Sequence, residues 1–248
     1  MTGLLTGRVA LVTGAGRGFG LAIATAFLAE GATVVAHHRS SASAVEQLAG
    51  TAPGRVTSVR ADLREPAGGP AVVSAALAAH GRIDILVNNA GSMAVGGFAE
   101  STEEDWAGDI DLNIWATLRV TRAAVPGMIA AGGGRIINLS SQLALRPWDR
   151  GAVYAGTKGF LLTWTKSLAA ELGPHGINVN AIGPGSILTD MNREVFPDDE
   201  AARRKAAELP LRRLGSPADV AGAAVFLAGP GSSFMTGQFL GVNGGSQM

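Results

Sequence analysis

Short apolar, β-branched runs alternate along the chain with longer stretches whose apolar positions recur every three or four residues. The runs at 8–13, 32–37, 56–60, 83–87, 135–139, 177–182 and 239–242 read as strands. Between them, helical periodicity marks 21–30, 43–49, 70–80, 103 to about 131, 154 to about 172, and 217–227. Thr102 is placed to cap the long helix, with Glu103, Glu104 and Asp105 in its first turn. A shorter helix opens on Asp198, Asp199 and Glu200, and Arg203, Arg204 and Lys205 suit its end. Strand and helix taking turns from end to end predicts an α/β fold. The expectation is one doubly wound, Rossmann-type domain spanning 1–248, with a mainly parallel seven-stranded sheet and helices on both faces.

Composition narrows what such a fold can do. A hydrophobic share of 47% against 16% charged residues supports a sizeable core and is too apolar for disorder. Net charge is zero without a basic block, which argues against nucleic acid as a partner. Gly, Pro or a charge interrupts every apolar stretch well short of about 18 residues, so no membrane span is expected. The N-terminus shows no basic segment followed by an apolar one, and together with the lack of cysteine this predicts a cytoplasmic protein. Without cysteine there is no thiolate catalysis, and the four histidines have no metal-ligand spacing, so no metal is expected.

Candidate chemistry gathers at the ends of the predicted strands. The first enters Gly14-Ala-Gly-Arg-Gly-Phe-Gly20 and then a helix, the setting in which glycines let a backbone approach a phosphate. Phe19 stands where the dinucleotide fingerprint would have its third glycine; the glycines are Gly14, Gly18 and Gly20, and a merely tight connection is the alternative. After the second strand comes His38-Arg39-Ser40, with no carboxylate before Glu46. An acidic residue there would suit a ribose 2′-hydroxyl, whereas Arg39 and Arg17 suit a 2′-phosphate unless they are simply solvated. NADP(H) is therefore favoured over NAD(H). Asp62, followed by Leu63 after the third strand, is placed to accept from an adenine amino group or to cap the next segment. Asn88-Asn89-Ala90-Gly91 follows the fourth, where asparagines pin backbones and Gly91 leaves room for a ribose.

Ser141 ends the fifth strand, and Tyr154 and Lys158 follow four residues apart, one helical turn on the same face. A phenol ordinarily titrates near 10, and a fixed cation nearby favours its ionised form. Bringing it down two to three units takes roughly 3–4 kcal/mol. A tyrosine so tuned trades protons near neutral pH, and a serine hydroxyl beside it can bind a substrate oxygen.

Taken together, Thr13-Gly14-x-x-x-Gly18-x-Gly20, Asn88-Asn89-Ala90-Gly91, Ser141 and Tyr154-x-x-x-Lys158 resemble the short-chain dehydrogenase/reductase family in order and spacing. The likeness runs from Gly7 to Gly245 and extends to its 3-oxoacyl-[acyl-carrier-protein] reductase-like members. It implies a nicotinamide cofactor, hydride transfer, and a small carbonyl or alcohol substrate. It further implies that Asn113 interrupts its helix to support a proton relay. Pro184 and Gly185 would lie beside the nicotinamide, with Ile187 and Thr189 at its carboxamide. Relatives pair the two long helices across a dimer and form tetramers, so a homotetramer or homodimer is expected. Gly156 and Gly159 in the second of these helices suggest a close backbone approach, to the nicotinamide side or to a partner helix.

Two departures qualify the likeness. Val242-Asn243-Gly244-Gly245 has Asn where relatives carry Asp, and 130–134 and 173–175 hold little of the basic charge that grips an acidic carrier protein. The substrate pocket is expected from Met93, Gln142, Leu143, Trp148, Met191 and Phe196, beneath a lid at about 186–210. The favoured reading is an NADP(H)-dependent carbonyl reductase. The alternatives are an NAD-dependent alcohol, polyol or sugar-acid dehydrogenase, and a non-catalytic NADP(H)-sensing scaffold.

Overall fold

A computed structural model describes residues 3–189 and 198–248. Seven strands form one sheet in the order β3-β2-β1-β4-β5-β6-β7, and every pairing is parallel. The strands are β1 (Val9–Val12), β2 (Thr33–His38), β3 (Val56–Arg60), β4 (Ile85–Asn88), β5 (Gly134–Leu139), β6 (Ile177–Pro184) and β7 (Phe239–Val242).

Alternation along each strand sends side chains to opposite faces of the sheet. Ala10 and Val12 enter one core with Ile85, Val87, Ile137 and Ile182, while Val9 and Leu11 enter the other with Leu86, Ile136 and Val179. The first core is covered by α1 (Gly18–Ala29), α2 (Ala42–Thr51) and α8 (Pro217–Ala228), with Phe27 wholly buried at its centre. The second is covered by α3 (Gly68–His80), α5 (Ala116–Ala130) and α6 (Ala152–Leu172). Helices on both faces bury both sides of a parallel sheet, which is why its strands read as near-continuous apolar runs.

The long helix expected from Glu103 is not continuous. α4 (Glu103–Asp109) gives way to a π-helical segment, Ile110–Trp115, before α5 resumes. The start is as read: Thr102 and Asp105 form a reciprocal capping box. The interruption comes from Asn113, which is fully buried and spends its side chain outside the helix. One wider turn re-aims it without ending the helix.

β4 begins two residues later than expected, after the buried Asp84 has accepted the Val9 N–H at 2.9 Å and paired with Arg8 and Arg82. α7 (Asp199–Glu208) is capped by Asp198 through the Ala201 N–H. The order in which successive strands are added reverses at β1, whose neighbours are β2 on one side and β4 on the other. Open α/β sheets leave a crevice at such a switch, beyond the carboxyl ends of the strands.

Candidate active site

A cleft of about 550 Å³ opens at that switch. Gly14, Arg17, Gly18 and Phe19 line it from the β1–α1 turn, and His38, Arg39 and Ser40 from the end of β2. Asp62 and Leu63 line it after β3, Asn89, Ala90, Gly91 and Met93 after β4, and Tyr154, Lys158 and Thr189 at the far end.

The glycine turn is held by its neighbours. Gly14 has φ +66°, a conformation that L side chains rarely adopt, and its N–H donates to His37 Nδ1 at 3.1 Å. Asn89 Nδ2 donates to the carbonyls of Thr13 and Gly14, at 2.8 and 3.2 Å. Thr13 Oγ1 accepts from the N–H groups of Asn89 and Ala90. Gly20 does not line the cleft: a Cβ there would lie 2.2 Å from the Gly14 carbonyl oxygen, so its small size lets α1 seat against the turn. α1 starts with no side-chain cap and no acidic residue in its first turn. Its first N–H groups and its positive dipole end are thus available to a phosphate, and the turn could hold one.

At the end of β2 the two arginines stand apart from the rest of the protein. Arg17 and Arg39 are exposed, and neither guanidinium bonds to a described residue. His38 is buried; its Nε2 meets Ser58 Oγ at 3.0 Å while Nδ1 has no partner. Asp62 serves as a local cap: its carboxylate takes the Arg64 backbone N–H and the Arg64 guanidinium, both through Oδ1 at 3.0 Å. That bonding to Arg64 holds its pKa well down, at about 2.

The other end is buried and internally bonded. Tyr154, Lys158, Ser141 and Asn113 are all less than a tenth exposed. Ser141 Oγ accepts the Leu143 N–H at 3.1 Å, and its hydroxyl draws down the pKa of the Tyr154 phenol. Lys158 Nζ lies 5.7 Å from the Tyr154 ring centroid and donates to the Leu139 carbonyl at 2.9 Å. Asn113 donates from Nδ2 to the Ser92 carbonyl and to Thr157 Oγ1, both at 3.0 Å, and accepts the Ser92 N–H at 3.0 Å. Thr157 in turn donates to the Tyr154 carbonyl.

The protein's own groups do not lower the phenol as the sequence suggested. Burial pushes Tyr154 up to about 12, the hydrogen bond with Ser141 draws it down, and the Asp109 charge adds to the rise. Burial likewise brings Lys158 down to about 8, against the Asp109 charge that raises it. Desolvation disfavours the charged form of both groups, and it is the largest cause of both shifts.

At the end of β6, Pro184 and Gly185 do not line the cleft. A Cβ on Gly185 would sit 2.6 Å from Asn243 Cα and 2.8 Å from Gln142 Oε1, so this glycine makes room for the C-terminal segment. Ile187 is buried and bridges to Gly215. Of the expected substrate pocket, Met93 lines the cleft, while Gln142, Leu143 and Trp148 lie on the loop beyond Ser141. Gln142 there bonds Ser246 of the C-terminal segment. Met191 and Phe196 lie outside the described residues. Asn243 has its own rationale: its Nδ2 donates to the Gln247 carbonyl at 3.2 Å, which an aspartate has no N–H to do. Among the described residues nothing lies within 4 Å of a Cβ placed on Gly156 or Gly159, so the expected close approach is not met there.

Sequence reading missed His37, Ser92 and Asp109. His37 Nε2–H donates to the Ala61 carbonyl while Nδ1 takes the Gly14 N–H, so the ring is neutral, and burial lowers its pKa. In the sequence it stood out only as one of two adjacent histidines without metal-ligand spacing. Asp109 stands four residues before Asn113, the one sequence signal that it shares a helix face with it. Among the described residues no group of three His, Asp or Glu is placed to hold a metal ion, and no helix is long and apolar enough to cross a membrane.

Residues 14–247 match the family profile described as Enoyl-(Acyl carrier protein) reductase. The chain is 41% identical to the oxidoreductase UcpA of Salmonella typhimurium, over 99% of this chain and 97% of that protein. It is 38% identical to L-xylulose reductase of Bos taurus, over 97% of each. The solved structure of L-sorbose reductase from Gluconobacter frateurii, complexed with NADPH and L-sorbose, superposes with a TM-score of 0.92 at 35% identity, covering all of both chains.

Proposed function

The chain belongs to the short-chain dehydrogenase/reductase family of oxidoreductases, and from that premise we propose that it interconverts a ketone and a secondary alcohol with NADP(H). One observation carries the reading: Tyr154, under the influence of Ser141 and with Lys158 beside it, lines the same cleft as the glycine turn.

In this reading Gly14, Gly18, Phe19 and the start of α1 receive the cofactor's phosphates, with Gly20 behind them. His38, Arg39, Ser40 and Arg17 take the 2′-phosphate, Asp62 and Leu63 flank the adenine, and Asn89, Ala90 and Gly91 border the ribose. Thr189, which lines the cleft, borders the nicotinamide with Pro184, Gly185 and Ile187 in the layer behind it, and the nicotinamide when bound supplies or accepts the hydride. Tyr154 gives its proton to the carbonyl oxygen in reduction and takes it back in oxidation. Ser141 orients and polarises that oxygen. Lys158, fixed by the Leu139 carbonyl, adds positive charge beside the phenol, and Asn113 ties the proton path to Ser92 and Thr157.

Two exposed arginines and no carboxylate at the end of β2 favour NADP(H) over NAD(H), and the NADPH-bound relative supports the same choice. Because two relatives are named for L-xylulose and L-sorbose, a keto-sugar is the first ketone class to try. Relatives named as reductases speak against a non-catalytic sensor. Assembly into a dimer or tetramer through α5 and α6 would give Gly156 and Gly159 the close neighbour they lack among the described residues.

Loss of reduced-nicotinamide absorbance, followed with NADPH and separately NADH against keto-sugars, cyclic ketones and 3-oxoacyl thioesters, tests the reading. NADPH consumption with one ketone class is expected. Consumption with NADH alone would overturn the cofactor choice, and tight NADPH binding with no turnover would revive the sensor.

A further inference from the structure

Asp109 is a buried carboxylate to which the family reading gives no task. It ends α4 one residue before the π-helical segment, is 1% exposed, and forms no ion pair with any described residue. An ionised carboxylate taken out of water without a cation is costly, so something must hold it. Two hydrogen bonds do. Ser92 Oγ donates to Oδ1 at 2.7 Å, and the Ala94 N–H donates to Oδ2 at 3.0 Å.

Those partners belong to the segment that leads away from Gly91 along the cleft, which Ser92 and Met93 line. Ser92 is therefore gripped twice, through its backbone by Asn113 and through its hydroxyl by Asp109. Asp109 also reaches the reacting pair electrostatically: its charge raises the proton affinity of both Tyr154 and Lys158. Few other charges compete. Beyond the end of β5 the neighbour of the phenol is the neutral Ser141, and Asp111 of the π-helical segment acts on Arg64 instead. Glu103, Glu104 and Asp105 of α4 are exposed, as are Asp149 and Arg150 before α6.

We infer that Asp109 is a positioning residue with two tasks: it fastens Ser92 and Ala94 at the substrate end of the cleft, and its charge keeps the Tyr154–Lys158 pair loaded with protons. The loaded pair is the form that donates to a carbonyl, so the carboxylate extends reduction upward in pH and works against alcohol oxidation at neutral pH. The inference rests on the ketone–alcohol reading above, which it deepens by assigning the site a working direction.

Asp109→Asn separates charge from shape. The amide oxygen can keep the Ala94 N–H, its Nδ2 can donate to Ser92 Oγ, and that hydroxyl can turn its own proton to the Gly108 carbonyl 3.1 Å away. Lys158, Lys166 and Lys205 are the only lysines in the chain, so 13C-labelled lysine NMR follows the Lys158 titration without substrate. Asp109→Asn is expected to lower the Lys158 midpoint by about one pH unit, and the high-pH limb of kcat/KM for reduction should fall with it. Ser92→Ala, which keeps the charge and cuts the anchor, is expected to raise KM several-fold and leave the Lys158 titration in place.

A folded Asp109→Asn protein with an unmoved Lys158 titration would overturn the electrostatic task, and Ser92→Ala with unchanged KM would overturn the anchor. If Asp109→Asn does not fold, Asp109→Glu carries the test. That variant retains the charge but misplaces it for the anchor, so a Lys158 shift of a full unit there would assign the effect to packing and sink the inference. Absence of carbonyl turnover by the wild-type protein would instead sink the underlying reading, because the NMR titration needs no turnover.

Discussion

The two ends of the cleft are built on opposite principles. At the β2 end the cationic groups, Arg17 and Arg39, stand exposed, and neither guanidinium bonds to a described residue. At the α6 end Tyr154, Lys158, Ser141 and Asn113 are buried and bonded to one another's surroundings before any ligand arrives. The first arrangement suits recognition, because an exposed guanidinium is cheap to hydrate and free to close on a phosphate. The second suits chemistry, because a desolvated site keeps its dipoles and proton carriers in place while charge moves. Burial has a consequence there: it drives the Tyr154 phenol up and the Lys158 ammonium down.

The contrast is open to direct attack, and the heaviest blow falls at the buried end. Tyr154→Phe removes the proton donor and little else, so kcat for reduction should drop by roughly 10²- to 10⁴-fold. NADPH affinity, measured by fluorescence titration, should stay within a few-fold; wild-type turnover by this variant would refute the mechanism. At the exposed end Arg39→Asp should shift the ratio of NADPH to NADH preference by roughly tenfold to a hundredfold, the scale of a lost charge-assisted bond plus new repulsion. An unchanged ratio would make Arg39 a bystander.

The mildest test varies only pH. Reduction uses Tyr154 protonated and Lys158 cationic, and both forms are lost as pH rises. With Lys158 at about 8, kcat/KM for the ketone should be level below that value and fall by up to about tenfold by pH 9. A rise across the same window would contradict the assigned protonation states.

Sequence and structure agree most closely where the physics is local. The seven apolar runs reappear as seven strands within two residues or so, because burial on both faces leaves a continuous apolar signature. The cap at Thr102 and Asp105 was legible for the same reason, since both partners sit within one turn. The break after Asp109 was not, because a π-helical turn barely disturbs helical periodicity over a stretch this long. Nor was Asp109 itself: an acidic residue in an amphipathic helix ordinarily marks the wet face.

By itself, then, the sequence determined the α/β alternation, the glycine turn after β1 and the spacing of Ser141, Tyr154 and Lys158, all products of short-range pattern. Only the tertiary structure decided that Asn113 and Asp109 close on Ser92 across some twenty residues of chain, that Asn89 clamps the glycine turn, and that burial sets the proton affinities of Tyr154 and Lys158. Desolvation depends on everything packed around a group, and no local pattern carries that sum.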